Sequence, residues 1–124
     1  MIRQVPAFVK NADREIALQK KLYFTDNGIL NVLGKPSSGA KLENSVANQL
    51  ANHGEIRFYA KRSGQEIDFV LNGKTALEVK ETPGLSDLKI LKRRAEQTGL
   101  GNSILIGLYP PASGFSGFVW AGNV

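Results

Sequence analysis

The chain has 124 residues, which is the length of one ordinary domain and leaves no room for a second of usual size. Its composition is globular, with 42% hydrophobic and 22% charged residues. The absence of cysteine excludes disulfides and thiolate metal sites and favours a cytoplasmic location. No apolar run is long enough to cross a bilayer, and residues 1–20 lack a signal peptide's hydrophobic stretch. The net charge of +5 favours an anionic partner, of which nucleic acid is the commonest.

Residues 1–38 are predicted to form an N-terminal extension that packs on a core made by residues 39–124. The first twenty residues show no clean period. Beyond them, residues 21–24 indicate a short strand and residues 25–33 a short helix with a polar cap. The glycine, proline and serine residues that follow predict a loop.

The core is predicted to be an α/β domain with the element order α-β-β-β-α-β. Apolar residues four apart predict a first helix over residues 40–53, and Gly54 is placed to end it. A second helix begins at Ser86 or Asp87 and ends before Gly99. Strands are predicted over residues 55–60, 66–71, 75–80 and 103–108, with a last one near 115–120 at an edge of the sheet. The expected architecture is a mixed central sheet flanked by helices.

Glu43 is the one charged residue that falls on the apolar side of the first helix. Winding residues 40–53 at about 100° per residue places it between Leu50 and Ala47, and places Asn44 and Asn48 on the other, polar side. A buried carboxylate is costly unless another group pairs with it or coordinates it. Glu43 is therefore expected either to form a structural salt bridge with a core-facing cation or to point at a metal site on the sheet.

Two neighbouring strands carry the other candidate residues, Asp68, Glu78 and Lys80. All three occupy even positions, while the odd positions of the same strands are apolar. Directly paired residues point to the same face, so the even positions of the two strands share a face only if even residues pair with even residues. This pairing requires a loop with an odd number of residues, and a three-residue loop over 71–73 pairs Asp68 with Ala76. This register predicts that Asp68, Glu78 and Lys80 share one sheet face, which Glu43 approaches from the helix.

Crowded carboxylates on a sheet face destabilise a fold unless something balances their charge. Glu66, Asp68 and Glu78 share this face with only one lysine, and Mg²⁺ prefers such oxygen ligands together with water and phosphate oxygens. The sequence therefore predicts a site for Mg²⁺ or Mn²⁺. The alternative is an ordinary solvated face of an antiparallel hairpin.

Three blocks of the sequence carry a family resemblance. They are Lys21-Leu22-Tyr23-Phe24-Thr25-Asp26-Asn27-Gly28, then Leu42-Glu43-Asn44-x-Val46-Ala47-x-x-Leu50, and then Gly64-x-Glu66-Ile67-Asp68-Phe69-Val70 followed by Glu78-Val79-Lys80. The last block resembles the D…E-x-K signature of the PD-(D/E)XK nucleases, including the archaeal Holliday-junction resolvases. Together the blocks resemble the nuclease-like C-terminal domain of prokaryotic AAA+-type ATPases. The resemblance covers about residues 20–108 and implies a restriction-endonuclease-like fold.

By that resemblance Glu43 is the acid of the first helix, Asp68 and Glu78 are metal ligands, and Lys80 is the catalytic lysine. The implied activity is Mg²⁺-dependent hydrolysis of phosphodiester bonds in DNA, including branched DNA. The alternative is a non-catalytic domain that binds DNA, dimerises or regulates an AAA+-type ATPase. The expected partners are accordingly DNA, a second copy of the chain, and a parent or partner ATPase.

Basic residues outside the carboxylate cluster are candidates for phosphate contacts. Lys61 and Arg62 precede the Asp68 strand, and Lys89, Lys92 and Arg93 crowd the second helix. A solvated helix face is the alternative for the second group. Trp120, with Phe115 and Phe118 nearby, is expected to pack in the core or in a dimer interface, and base stacking is the alternative.

Overall fold

The structure is a computed structural model that describes residues 2–8, 20–25, 37–61, 64–110 and 117–124. Its strands are β1 (Ile2–Pro6), β2 (Lys20–Phe24), β3 (Ile56–Ala60), β4 (Glu66–Leu71), β5 (Thr75–Lys80), β6 (Asn102–Gly107) and β7 (Phe118–Trp120). Its helices are α1 (Ser38–Leu50) and α2 (Leu85–Gln97), and a 3₁₀ turn covers Ala121–Asn123. From α1 to β6 the order is α-β-β-β-α-β, which confirms the predicted α/β core. None of the described helices has the length and apolar character needed to cross a membrane.

The central sheet has five strands in the order β3-β4-β5-β6-β7. The pairs β3/β4 and β4/β5 are antiparallel, whereas β5/β6 and β6/β7 are parallel. As a result the C-terminal ends of β3, β5, β6 and β7 lie together on one side of the sheet, which we call the carboxyl edge. The last strand, β7, begins at Phe118 and is an outermost strand of the sheet, as predicted.

A helix covers each face of the sheet, because buried side chains form two separate apolar clusters. The α1 side joins Leu42, Val46, Ala47 and Leu50 of the helix to Phe69, Leu77 and Ile106 of the sheet. The α2 side joins Leu88, Leu91, Ala95 and Leu100 to Ile67, Val70, Ala76 and Leu105. The sheet is thus buried on both faces, which corrects the expectation of one core face and one charged face.

The N-terminal segment contributes a two-stranded antiparallel sheet of β1 and β2. Ala7 forms a parallel bridge with Phe58 of β3, and the N–H of Phe8 donates to the Phe58 carbonyl over 2.6 Å. Val5, Ala7 and Tyr23 belong to the α1-side cluster. The β2 strand was predicted, whereas β1 was missed because its sequence carries no clear period. The helix predicted over residues 25–33 lies largely outside the described residues.

The β4–β5 hairpin has the predicted odd loop length but a different register. Its loop is Asn72-Gly73-Lys74, and Leu71 pairs with Thr75 instead of lying in the loop. The reason is that Asn72 is tied to Glu55: its N–H donates to the Glu55 carbonyl and its Oδ1 accepts from the Glu55 N–H. Both Asn72 (φ 54°) and Gly73 (φ 67°) are left-handed, as a tight hairpin turn requires.

The helix ends also differ slightly from the prediction. The Ser37 hydroxyl caps α1 by accepting from the Ala40 N–H, so the helix starts earlier than expected. Gly84 is the N-cap of α2, and Asp87 reaches back to accept from the Gly84 N–H over 2.8 Å. Neither Ser86 nor Asp87 is therefore the cap residue. Gly99, with a φ of 76°, follows the end of α2 as predicted.

Candidate functional site

The four predicted site residues come from three elements that meet near the carboxyl edge. Glu43 lies on α1, Asp68 lies on β4, and Glu78 and Lys80 lie at the C-terminal end of β5. Glu43, Asp68 and Glu78 are half-buried, whereas Lys80 is exposed. Because the β4/β5 register pairs Phe69 with Leu77, Asp68 comes opposite Glu78 and not opposite Ala76.

A β-bulge in β4 sets the direction of Asp68. Arg57 pairs with Val70 and Tyr59 with Ile67, so two residues of β4, Asp68 and Phe69, face the single residue Phe58. The bulge breaks the alternation of β4, and Ile67 therefore packs on the α2 side whereas Phe69 packs on the α1 side. Glu78 and Lys80 lie on the α2 side of the sheet, where they line a cleft with residues of α2, whereas Glu43 comes from α1 on the opposite side. The prediction that Glu43 approaches the face that carries Glu78 and Lys80 is therefore wrong, and the bulge interrupts the alternation that was to place Asp68 on that face.

The bulge leaves Asp68 between the two strands and close to both other carboxylates. Its Oδ2 accepts a hydrogen bond of 2.9 Å from the Val79 N–H of β5. The Asp68 charge raises the pKa of Glu43 on one side and the pKa of Glu78 on the other. Asp68 is therefore the residue that the two halves of the site have in common.

Glu43 lies in the half of the site that is next to β2. Burial, and next the charge of Asp68, raise the pKa of Glu43 above its ordinary value, while Lys21 opposes this. The Tyr23 hydroxyl is buried beside Glu43 and Asp68 but has no hydrogen bond of good geometry to any residue that the structure describes. Burial and these two carboxylates raise the pKa of Tyr23, so its hydroxyl keeps its proton. Lys21 also lies 5.3 Å from the centre of the Phe58 ring.

Glu78 lies in the other half, in a cleft of about 90 Å³ beneath α2. The cleft is lined by Glu78, Lys80, Asp87, Ile90, Leu91 and Arg94. Burial, and next the charge of Asp68, raise the pKa of Glu78 to about 7, although Lys80, Arg94 and a hydrogen bond from the Asp68 backbone act against this. Arg94 is held in place by its Nη1, which donates to the Glu66 carbonyl over 2.7 Å.

Sequence reasoning missed the contribution of β2 to the site. Helical periodicity placed Asn44 on the polar side of α1, yet it is only 4% exposed. Its amide accepts from the Phe24 N–H over 2.8 Å and donates to the Phe24 carbonyl over 2.9 Å, and Asn48 donates to the same carbonyl. This clamp holds β2 against α1, which brings Lys21 and Tyr23 next to Glu43. The sequence signal for this contact was the pair Asn44 and Asn48, which are four residues apart and therefore lie on one side of the helix.

The predicted phosphate-binding residues do not form one patch. Lys61, Lys89, Lys92 and Arg93 are exposed, and Arg62 lies outside the described residues. Lys61 follows β3 at the carboxyl edge, and Arg93 lines a depression there with Gln65 and Arg94. Lys92 instead lines a depression with Asn102 and Ser103 at the start of β6. Lys61 and Arg93 are therefore the described members of the set that adjoin the site.

The carboxylates of this site are the candidate metal ligands. Within the described part of the chain, no three His, Cys, Asp or Glu side chains are grouped closely enough to hold a metal ion. The carboxylates form two pairs: Asp68 with Glu43, and Asp68 with Glu78. Mg²⁺ commonly binds through one or two carboxylates and completes its shell with water and phosphate oxygens. Either pair fits that requirement.

Comparison with known proteins gives the family of this fold and site. A family model described as "Domain of unknown function (DUF4143)" matches residues 38–114, and the chain belongs to that family. This family is associated with AAA ATPases. No curated protein and no solved structure matches the chain. The matched range includes Glu43, Asp68, Glu78 and Lys80, whereas Lys21 and Tyr23 of β2 precede it.

Proposed function

We propose that the chain is a Mg²⁺-dependent phosphodiesterase that acts on DNA, of the PD-(D/E)XK type. The observation that carries this proposal is the position of Asp68 between two half-buried carboxylates whose pKa values it raises. A fold gains nothing from such crowding, since like charges at short range destabilise the sheet. A bound divalent cation removes this repulsion.

Asp68 and Glu78 are the residues that would hold the cation, whereas Glu43 forms the other carboxylate pair with Asp68. The cation, when bound, supplies acidification of a water molecule and charge neutralisation at the phosphate. Lys80 lies beside Glu78 with an exposed ammonium group, where it orients the nucleophile or donates to the scissile phosphate. Arg94 lines the same cleft and keeps its guanidinium there through its bond to the Glu66 carbonyl.

A second candidate function is a non-catalytic domain that binds DNA, dimerises or regulates an AAA+-type ATPase. The association of the family with AAA ATPases favours it, as does the lack of a grouped set of three ligands among the described residues. The two candidates differ in one respect that can be measured. Only the nuclease requires Lys80 and the carboxylates for chemistry beyond binding.

Cleavage of linear, single-stranded and branched DNA in Mg²⁺ or Mn²⁺ tests the proposal. We expect strand cleavage by the wild type that EDTA abolishes. Glu78→Gln and Lys80→Gln should each lower the rate at least about a hundredfold, while DNA binding persists. Glu96→Gln, an exposed position on α2, is the matched control. Metal-dependent cleavage that persists in both site variants would point to a contaminating nuclease, and no cleavage of any substrate would favour the non-catalytic domain.

A further inference from the structure

The carboxyl edge carries an exposed aromatic side chain in line with the candidate site. Parallel pairing joins Lys80 to Gly107 and Gly107 to Trp120, so these three residues form one row across β5, β6 and β7. Residues paired across strands point to the same face of a sheet, and Val119 lies on the α1 side, where it lines an apolar depression with Leu77 and Ile106. Trp120 therefore lies on the face that carries Lys80 and Glu78.

Trp120 was expected to pack in the core or in a dimer interface, and the structure contradicts the first of these two locations. Its side chain is 51% exposed, whereas Ala121, the next residue, is 7% exposed. Single exposed apolar residues are common on protein surfaces and need no explanation by themselves. Trp120 differs in its location, since it ends the strand row that begins at the candidate catalytic lysine.

The Trp120 ring also packs against the backbone of Gly122. A Cβ placed on Gly122 would come within 2.4 Å of the ring, so the indole lies directly against the Gly122 backbone. One side of the ring is thereby supported, while about half of the side chain remains open to solvent. A supported ring loses little entropy when a flat ligand stacks on its open side.

Exposed lysines at this edge offer contacts for the phosphates of a polyanion. Lys61 and Lys80 are exposed there, and the chain carries a net charge of +5. Tyr109, which is 57% exposed, is tied to the same edge because its N–H donates to the Glu81 carbonyl over 2.9 Å. Exposed aromatic rings beside cationic side chains are the recurrent features of surfaces that bind single-stranded nucleic acid.

We propose that Trp120 is a stacking platform for an unpaired base of a nucleic-acid strand whose phosphates lie at Lys80. The inference rests on the proposed function, from which it takes nucleic acid as the ligand. It adds that the ligand has unpaired bases at the site, as in a single-stranded end, a flap or an opened branch point. A base inside a continuous duplex has no free face to offer to the ring.

The experiment uses the fact that Trp120 is the one tryptophan of the chain. Its fluorescence is recorded in EDTA during titration with single-stranded oligothymidylate, and with an abasic oligonucleotide of equal length and charge. We expect oligothymidylate to quench the fluorescence and to bind about tenfold more tightly than the abasic strand. The affinities of the variants, which lack tryptophan, are measured by the fluorescence anisotropy of the same strands carrying a dye. Trp120→Ala should lose the difference between the two strands, and Trp120→Phe should keep most of it because phenylalanine also stacks.

Ile2→Ala is the matched control, because it removes a comparably exposed apolar side chain on β1 and should leave binding unchanged. Equal affinity and equal quenching with the two strands would overturn the inference, as would wild-type binding by Trp120→Ala. So would a dimer that Trp120→Ala dissociates, because the ring would then be a contact between copies. Quenching without cleavage in Mg²⁺ would remove the nuclease proposal alone, whereas cleavage without quenching would remove the stacking platform alone.

Discussion

Asp68 shows how one residue can determine a site. The extra residue that the bulge inserts into β4 turns Asp68 out of the regular alternation and towards the β5 backbone. In that position it raises the pKa of Glu43 and the pKa of Glu78 together. Neither carboxylate alone would give the site this concentration of negative charge.

Glu78 gives a prediction about pH. Its pKa is raised from 4.5 to about 7 in the folded chain, so the protonated form contributes stability that is fully present below about pH 4.5 and is lost as the pH rises through about 7. In EDTA, the free energy of unfolding should fall by on the order of 1–3 kcal/mol over that window. Glu78→Gln should make the fall clearly shallower in urea unfolding at successive pH values.

Glu43 titrates in the same direction, so some slope should remain in Glu78→Gln. Mg²⁺ should stabilise the wild type more at pH 8 than at pH 6, because its ligands must be deprotonated. Glu96→Gln should keep the wild-type slope. A slope that Glu78→Gln leaves unchanged would mean that Glu78 is not the titrating group.

At the scale of elements, the junction between β2 and α1 is what completes the site. Asn44 and Asn48 bind the backbone of Phe24 and thereby hold Tyr23 beside Glu43. The Tyr23 ring also contacts Phe69, with ring centres 5.6 Å apart. Strand β2 is therefore part of the candidate site and not only a cover for the core.

Asn44→Ala tests that junction. The change removes two hydrogen bonds and leaves the N–H of Phe24 without its partner, so it should lower the free energy of unfolding by about 2–3 kcal/mol. It should also weaken Mg²⁺ binding in calorimetry, since Lys21 and Tyr23 lose their support. Asn52→Ala, at an exposed position after α1, should change neither quantity. Full metal affinity in a destabilised Asn44→Ala would separate β2 from the site.

The sequence was sufficient to predict both core helices, strands β3 to β6 and the order of these elements. Local periodicity and turn residues determine such features. It was not sufficient for the bulge at Asp68 or the hairpin register, because these depend on Phe58 of β3 and on Glu55, which precedes β3. The burial of Asn44 was missed for the same reason, since the residue that covers it, Phe24, is distant in sequence.

At the scale of the molecule, the carboxyl edge gathers the charged groups that the elements supply. Lys61, Lys80 and Arg93 lie at this edge, whereas Lys92 lies near the start of β6, at the opposite ends of the parallel strands. The basic residues of α2 are therefore expected to contribute unequally to nucleic-acid binding. Phosphate contacts are recognised by their dependence on salt.

The double variant Lys61→Ala/Arg93→Ala should weaken DNA binding for all sequences alike. Its slope of log affinity against log salt concentration should be smaller than that of the wild type by about one to two units. Lys92→Ala removes one cation from the helix that carries Arg93 and is the control for position, with a slope close to wild type. Fluorescence anisotropy over a series of salt concentrations measures both. Equal slopes in all three proteins would make these residues a solvated surface.

The most direct test of the metal site is thermal unfolding of the wild type and Asp68→Asn, each in EDTA and in Mn²⁺. Asparagine keeps an oxygen that can accept from the Val79 N–H but removes the charge that repels Glu43 and Glu78. We expect the variant in EDTA to match the wild type or exceed it by about 0.5–1 kcal/mol, and we expect Mn²⁺ to stabilise only the wild type. A variant that is clearly less stable in EDTA, together with a wild type that Mn²⁺ does not stabilise, would contradict the metal site.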